Sequence, residues 1–249
     1  ITDASGNAAT LTLPSPGATN SLGANKALVI DGAAPAMAIT AANSGGIAIN
    51  SGSTTNDGSL TVTFISGEST SNFVSTDITV TGGSISSFSG SGTTYTATFT
   101  PSADGATTID VAAGTFTDAA GNDNTAAAQY TWTYDSTPPT ISSVSLASDN
   151  STIAVTMSEA CYRTADGDTL QVTDFELTPI IGGTATLSSA TPSSISASGN
   201  VYTLGISLIG TPDGSEVLTV DHNNIFDVAG NVASTSQISG ETISFSNYQ

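Results

Sequence analysis

The sequence predicts an all-β protein, a tandem array of antiparallel β-sandwiches with almost no helix. Three observations carry that prediction. The first is punctuation: Asp118-Ala119-Ala120-Gly121-Asn122 is preceded by Asp3-Ala4-Ser5-Gly6-Asn7 and followed by Asp227-Val228-Ala229-Gly230-Asn231. The copies stand roughly 110 residues apart, a domain-sized beat that marks a repeat. Asp31-Gly32-Ala33-Ala34-Pro35 and Asp135-Ser136-Thr137-Pro138 keep nearly the same interval. The second is composition: 38% of the 249 residues are hydrophobic, only 9% are charged, and 25 are glycine. A chain this rich in Thr, Ser, Val and Ile has material for short strands and the turns between them. The third is period. Apolar residues alternate along the chain, and no segment sustains the 3.6-residue repeat of a helix.

Residues 1–34 read as the end of a repeat plus a linker. Ala9-Thr10-Leu11-Thr12-Leu13 alternates like a strand until Pro14, Pro16 and Gly17 break it, and Ala27-Leu28-Val29-Ile30 runs extended into Asp31. Such a piece cannot close a core alone. The chain opens on Ile and shows no signal peptide, so it reads as excised from something longer.

Residues 35–137 hold a first complete module. Its expected strands cover 37–41, 60–65, 78–81, 94–100, 108–111 and 130–134. Tyr95-Thr96-Ala97-Thr98-Phe99-Thr100 and Tyr130-Thr131-Trp132-Thr133-Tyr134 alternate cleanly, one face for a core and one for water. Trp132 reads as a core or linker-packing aromatic. Residues 138–249 hold a second module, with strands expected over 141–146, 152–157, 175–178, 185–187, 201–208, 217–220 and 242–245. Six or seven short strands per module, with turns between, specify an immunoglobulin-like sandwich of Greek-key topology. The Cys…Trp…Cys pattern of antibody domains is absent.

Twenty-one acids face only Lys26 and Arg163, a net charge of −19. That balance argues against nucleic acid and anionic membrane surfaces as partners and fits cation binding. The plainer reading, acids that keep an exported protein soluble, stays open. Cys161 stands alone, so no disulfide forms within the chain; it reads as a small packed side chain. No apolar run is long enough to cross a membrane as a helix.

The residues resemble the Ig-like repeats of large bacterial surface and secreted (RTX-type) adhesins. The resemblance rests on the Asp-x-x-Gly-Asn loop before the last strand and on the Asp-led, Pro-ended linker. It rests also on a strand ending in Ser66-Gly67-Glu68 or Ser158-Glu159, followed by a strand led by Asp77 or Asp174. It implies an extracellular, non-enzymatic stalk whose partners are neighbouring repeats of the same chain.

In a sandwich of this topology the entering linker, the loop after the second strand and the loop before the last strand share one pole. Asp31, Glu68, Asp118 and Asn122 should therefore meet where the first module begins, and Asp135, Glu159, Asp227 and Asn231 where the second begins. Asp77 and Asp174 are possible additional ligands. Gathered carboxylates call for a hard cation, and Ca2+ takes six to eight oxygens of this kind. The conformational reading of Asp-x-x-Gly-Asn as a capped turn is compatible with it.

Catalysis finds little support. His222, the only histidine, is expected on a turn or the surface, and neither a Ser-His-acid constellation nor a nucleophile elbow stands out. Asp166-Gly167-Asp168 lacks the spacing and terminal Glu of an EF-hand loop. Two rival readings stay open. One is a surface-layer or filament subunit, assembled with other copies when the 9–13 strand completes a neighbouring sheet. The other is a carbohydrate- or ice-binding face built on Thr94, Thr96, Thr98 and Thr100.

Overall fold

A computed structural model describes residues 2, 4–8, 14–15, 17–19, 21–25 and 30–245, apart from 165–166, 179, 223–224 and 235–242. The strand expected over 9–13 and most of that over 27–30 lie outside the described residues. A single helical turn spans Leu22–Asn25, its start capped by Ser21 Oγ, which accepts from Ala24 N at 3.1 Å.

The first module uses eight strands: β1 (Met37–Ala42), β2 (Ala48–Ile49), β3 (Thr54–Thr55), β4 (Leu60–Thr70), β5 (Ile78–Thr81), β6 (Gly83–Pro101), β7 (Gly105–Val111) and β8 (Tyr130–Tyr134). They form two four-stranded sheets, β2-β1-β4-β6 and β3-β8-β7-β5. Alternation does the sorting. Leu60, Val62 and Phe64 of β4 pair with Phe99, Ala97 and Tyr95 of β6, and all six side chains point into the core. Ile109 and Val111 of β7, with Tyr130 and Trp132 of β8, face them from the other sheet. Phe73 packs edge-on to Phe88, Tyr95 and Phe116 at 5.1–5.6 Å between ring centres. Each ring contact adds to simple area burial.

The second module uses β9 (Ile141–Leu146), β10 (Thr152–Met157), β11 (Phe175–Leu177), β12 (Thr186–Leu187), β13 (Ser194–Ser198), β14 (Val201–Gly205), β15 (Leu208–Ile209), β16 (Val217–Leu218), β17 (Val220–His222) and β18 (Ile243–Ser244). Its main sheet is β13-β14-β10-β9. Ile153, Val155, Tyr202 and Leu204 of that sheet pack against Phe175, Leu177, Leu218 and Val220 in a core separate from the first.

Several expected strands change in ways that pairing explains. The run 201–208 breaks in two because β14 pairs with β10 and β13, whereas β15 pairs with β12. The run 217–220 breaks at Thr219, whose N–H donates to Thr178 Oγ1 at 3.0 Å, so that β16 pairs with β18 and β17 with β11. The first-module strand expected over 94–100 is the second limb of a longer β6. Its first limb folds back so that Phe88 stacks on Tyr95 and the Ser89 hydroxyl meets that of Thr96 at 3.3 Å. Strands β2, β3 and β13 were not expected from the sequence; β3 pairs parallel to β8 through Thr54↔Thr133 and Thr55↔Tyr134. No helix among the described residues is long and apolar enough to cross a membrane.

Candidate metal centres at the module poles

The Asp-x-x-Gly-Asn loops of the two complete modules build themselves around their leading carboxylates. Asp118 Oδ1 accepts from the backbone N–H groups of Ala120 (2.8 Å), Gly121 (2.7 Å) and Asn122 (2.9 Å). Asp118 N donates to Asn122 O at 3.2 Å and closes the turn. Gly121 sits at φ +94°, which a side chain would strain. The Asp227 loop follows the same plan: Asp227 Oδ1 accepts from Asn231 N at 2.8 Å, and Gly230 sits at φ +91°. Both aspartates are buried, Asp227 fully.

The loops then collect acids from elsewhere. Carboxylate oxygens of Asp31 (entering linker), Glu68 (end of β4) and Asp118 lie within 4.8 Å of one another. Asp135, Glu159 and Asp227 make the same triad at the start of the second module. The linker aspartates are held alike. Asp31 Oδ1 accepts from Ala33 N at 3.1 Å, and Asp135 Oδ1 from Thr137 N at 3.0 Å.

The two asparagines of the loops are braces. Asn122 Nδ2 donates to Asp118 Oδ2 at 2.8 Å and to the Asp31 backbone carbonyl at 3.1 Å. Asn231 Nδ2 donates to Asp227 Oδ2 at 2.8 Å and to the Asp135 carbonyl at 2.9 Å. Both partners are acceptors, so the amide nitrogen must face them. Asn231 Oδ1 accepts instead from Asn56 Nδ2 at 3.2 Å, so this asparagine ties the linker to the loop and turns no oxygen toward the acids.

Asp77 and Asp174, the possible extra ligands, stand apart from both triads. Each caps a 3₁₀ turn: Asp77 Oδ2 accepts from Val74 N at 2.9 Å, and Asp174 Oδ2 from Gln171 N at 2.7 Å. Asp174 Oδ1 also faces Arg163 Nε at 3.6 Å. Their position at a strand start is the same in both modules, but local N–H groups claim the carboxylates.

The electrostatics show strain. Burial, then the charges of Asp31 and Asp118, push the Glu68 carboxyl above its ordinary pKa. Burial, then Asp227 and Asp135, do the same to Glu159. Asp118 moves the other way, held down by the Asn122 side-chain amide and by the backbone N–H groups of its own loop. In the first triad, donors thus hold Asp118 as an anion, and in each triad burial and the neighbouring charges press the glutamate toward protonation. The donor set fits a hard divalent ion: all oxygens, with separations up to about twice a Ca–O distance of roughly 2.4 Å.

Among the described residues, the other ionisable groups form no catalytic set. His222 is buried in β17 opposite Phe175, contrary to the turn or surface position expected of it, because β17 packs that face into the core. Cys161 is buried, and its thiol is pushed up to about 12 by burial and by Glu159 and Asp227. Trp132 is a core residue with 2% exposure. Thr61, Thr63, Thr96 and Thr98 pair across β4 and β6 as the polar face of an ordinary sheet.

Three polar residues in the fold were not singled out from the sequence. Asp104 Oδ1 accepts from Ser136 N (2.9 Å) and Ser136 Oγ (2.8 Å), and its Oδ2 from Thr137 Oγ1 (2.6 Å), gripping the linker between modules. Asn56 reaches across to the second module. Glu216 is wholly buried; its oxygens accept from the N–H groups of Thr184, Ala185, Asp213 and Gly214 at 3.0–3.1 Å. Gly183 makes room for it: a Cβ there would lie 2.2 Å from Glu216 Cδ. The only signal in the sequence was the Asp213-Gly214 and Gly182-Gly183 turns on either side of the carboxylate.

Residues 31–134 match the bacterial Ig-like domain family. No curated protein matches the chain. Among solved structures it is similar to the Escherichia coli adhesin FdeC, at 15% identity over 88% of this chain and 65% of that one, TM-score 0.40. It is similar also to the N-terminal part of the bacterial S-layer protein SbsC (15% identity, 87% and 45% coverage, TM-score 0.27). A third is the Yersinia pseudotuberculosis adhesin InvE (14% identity, 85% and 58% coverage, TM-score 0.25). The chain spans less than two thirds of each.

Proposed function

We propose that this chain, whose residues 31–134 are a bacterial Ig-like domain, is a non-enzymatic stalk segment of a bacterial cell-surface or secreted adhesin, stiffened by Ca2+ at its domain junctions. One observation carries the reading. The same three structural positions (linker, second-strand end, loop before the last strand) bring three carboxylates together at the head of both modules. Unneutralised, each like-charged pair costs roughly 1 kcal/mol even at the dielectric of water. With Lys26 the only lysine and Arg163 the only arginine among 249 residues, the chain has few cations of its own to spend on two triads.

A divalent ion at each triad supplies that charge and ties the linker to two loops of the module that follows. Asp31, Glu68 and Asp118 would hold one ion; Asp135, Glu159 and Asp227 the other. Asn122 and Asn231 orient these acids. With the linker aspartate pinned, a string of modules becomes a rod that holds a distal ligand-binding part away from its anchor. The affinity expected is that of extracellular modules, Kd roughly 10⁻⁴–10⁻³ M.

Calorimetric titration of the chelated protein with calcium chloride tests this directly. Two sites per chain are expected, falling to one in Asp135→Ala, together with a small-angle scattering profile that becomes more extended and less flexible on calcium addition. A stoichiometry of zero, or scattering that EDTA leaves unchanged, refutes the stalk reading in this form.

A further inference from the structure

The second junction holds contacts that owe nothing to an ion. Strand β3 pairs parallel to β8 at the far pole of the first module, and Asp135 N donates to Thr55 O at 3.1 Å where the linker leaves. Loop 56–59 projects from this seam. It is braced from within: Thr55 is buried, its Oγ1 donates to Asp57 Oδ2 at 2.7 Å, and Asp57 N donates back to Thr55 Oγ1 at 3.2 Å. At its tip Asn56 makes two bonds to the second module. Its backbone N donates to Ala229 O at 3.1 Å, and its Nδ2 to Asn231 Oδ1 at 3.2 Å.

We infer that loop 56–59 is a docking tooth that locks the first module onto the Asp-x-x-Gly-Asn loop of the module that follows, with Asn56 reading the backbone and amide of that loop independently of any cation. The chemistry is complementary and directional. The Asp-x-x-Gly-Asn loop spends its N–H groups on its own aspartate and leaves a carbonyl and an amide oxygen facing outward. Asn56 brings the two donors they need. An alanine would keep one donor and lose the other. The inference deepens the stalk reading and rests on it for its biological meaning, but the contact stands on its own geometry.

Two asymmetries follow. At the first pole the partner surface is repeated, yet among the described residues no donor reaches Asn122 Oδ1. That pole is shaped for the tooth of a preceding module of the first type. In the second module β9 leads into β10 through the short turn 147–151, with no counterpart of β2 or β3 and so no tooth in that place. The first module therefore docks forward; the second receives.

Backbone 15N relaxation of the full chain in excess EDTA tests this, with Asn56→Ala and with Asn122→Ala as the control at the other pole. In the wild type and in Asn122→Ala, the two modules should share one rotational diffusion tensor across the Asp135 linker without calcium. In Asn56→Ala they should lose it and tumble with separate correlation times, while Trp132 fluorescence and module chemical shifts report intact folds. Independent tumbling in the chelated wild type, or common tumbling retained in Asn56→Ala, overturns the inference. Calcium titration of the same samples separates the two ideas. Loosening by Asn56→Ala with no calcium bound to any sample leaves the tooth standing and removes the ion.

Discussion

Replacing Asp227 with Ala separates the turn-forming and ion-holding roles of one carboxylate. Asp227 is fully buried and accepts two charge-assisted bonds, from Asn231 N and from Asn231 Nδ2, both at 2.8 Å. Bonds to charged groups contribute about 1.5–3 kcal/mol each, so their loss costs about 3–6 kcal/mol. Against this, removing one of three like charges relieves two repulsive pairs of about 1 kcal/mol each. The net cost to the second module in EDTA is then about 1–4 kcal/mol. With calcium the gap widens, because the variant cannot gain from binding at that pole. At 10–100 times Kd, one site adds about 1.4–2.7 kcal/mol to the wild type.

The assay is chemical unfolding followed by two probes. Fluorescence of Trp132, the only tryptophan, reports the first module; hydrogen exchange in β10 and β14 reports the second. The substitution should move only the second transition, and calcium should widen the difference between wild type and variant by the binding increment. If calcium stabilises the second module equally in both proteins, the ion is not held by this triad.

Acidity should act oppositely with and without calcium. Glu68 and Glu159 have raised carboxyl pKa values, so each binds its proton more tightly folded than unfolded. That contribution favours folding at low pH and is lost as pH rises through the raised value. Melting temperatures in EDTA should therefore fall from mildly acid to neutral pH at these sites, and the increment from calcium should grow over the same window; an increment independent of pH would contradict the assignment. Glu216 gives the reverse sign. Burial alone would raise its pKa, but the N–H groups of Ala185, Asp213 and Thr184 bring it down to about 2, so its stabilisation is present above the ordinary glutamate range and is lost as pH falls toward about 2. Glu216→Gln must leave at least one of those N–H groups facing an amide nitrogen; the second module should melt earlier, and Trp132 should not report it. Cys161, with its thiol pushed up to about 12, should resist thiol reagents in the native state and react after unfolding, so rapid native labelling would show that its pocket opens.

The repeat beat, the sandwich class and most strands of both modules were legible in the sequence because alternation states directly which face of a strand is dry. Leu60, Val62 and Phe64 declare their side of β4 without reference to any partner. The acids were legible for a similar reason. A fixed topology returns three chain positions to one pole, so Asp31, Glu68 and Asp118 could be grouped from spacing and loop type alone. What alternation does not state is the partner. The break at Thr219, the parallel seam of β3 on β8, the buried His222 and the N–H cage around Glu216 all depend on which distant segment arrives alongside. Asn56 and Asp104 lie in loops that read as plain turns, and only the placing of one module against the next gives their side chains work. Local pattern fixes burial, because burial is a property of each residue's own face; pairing and docking belong to two surfaces at once, and only the folded chain brings both together.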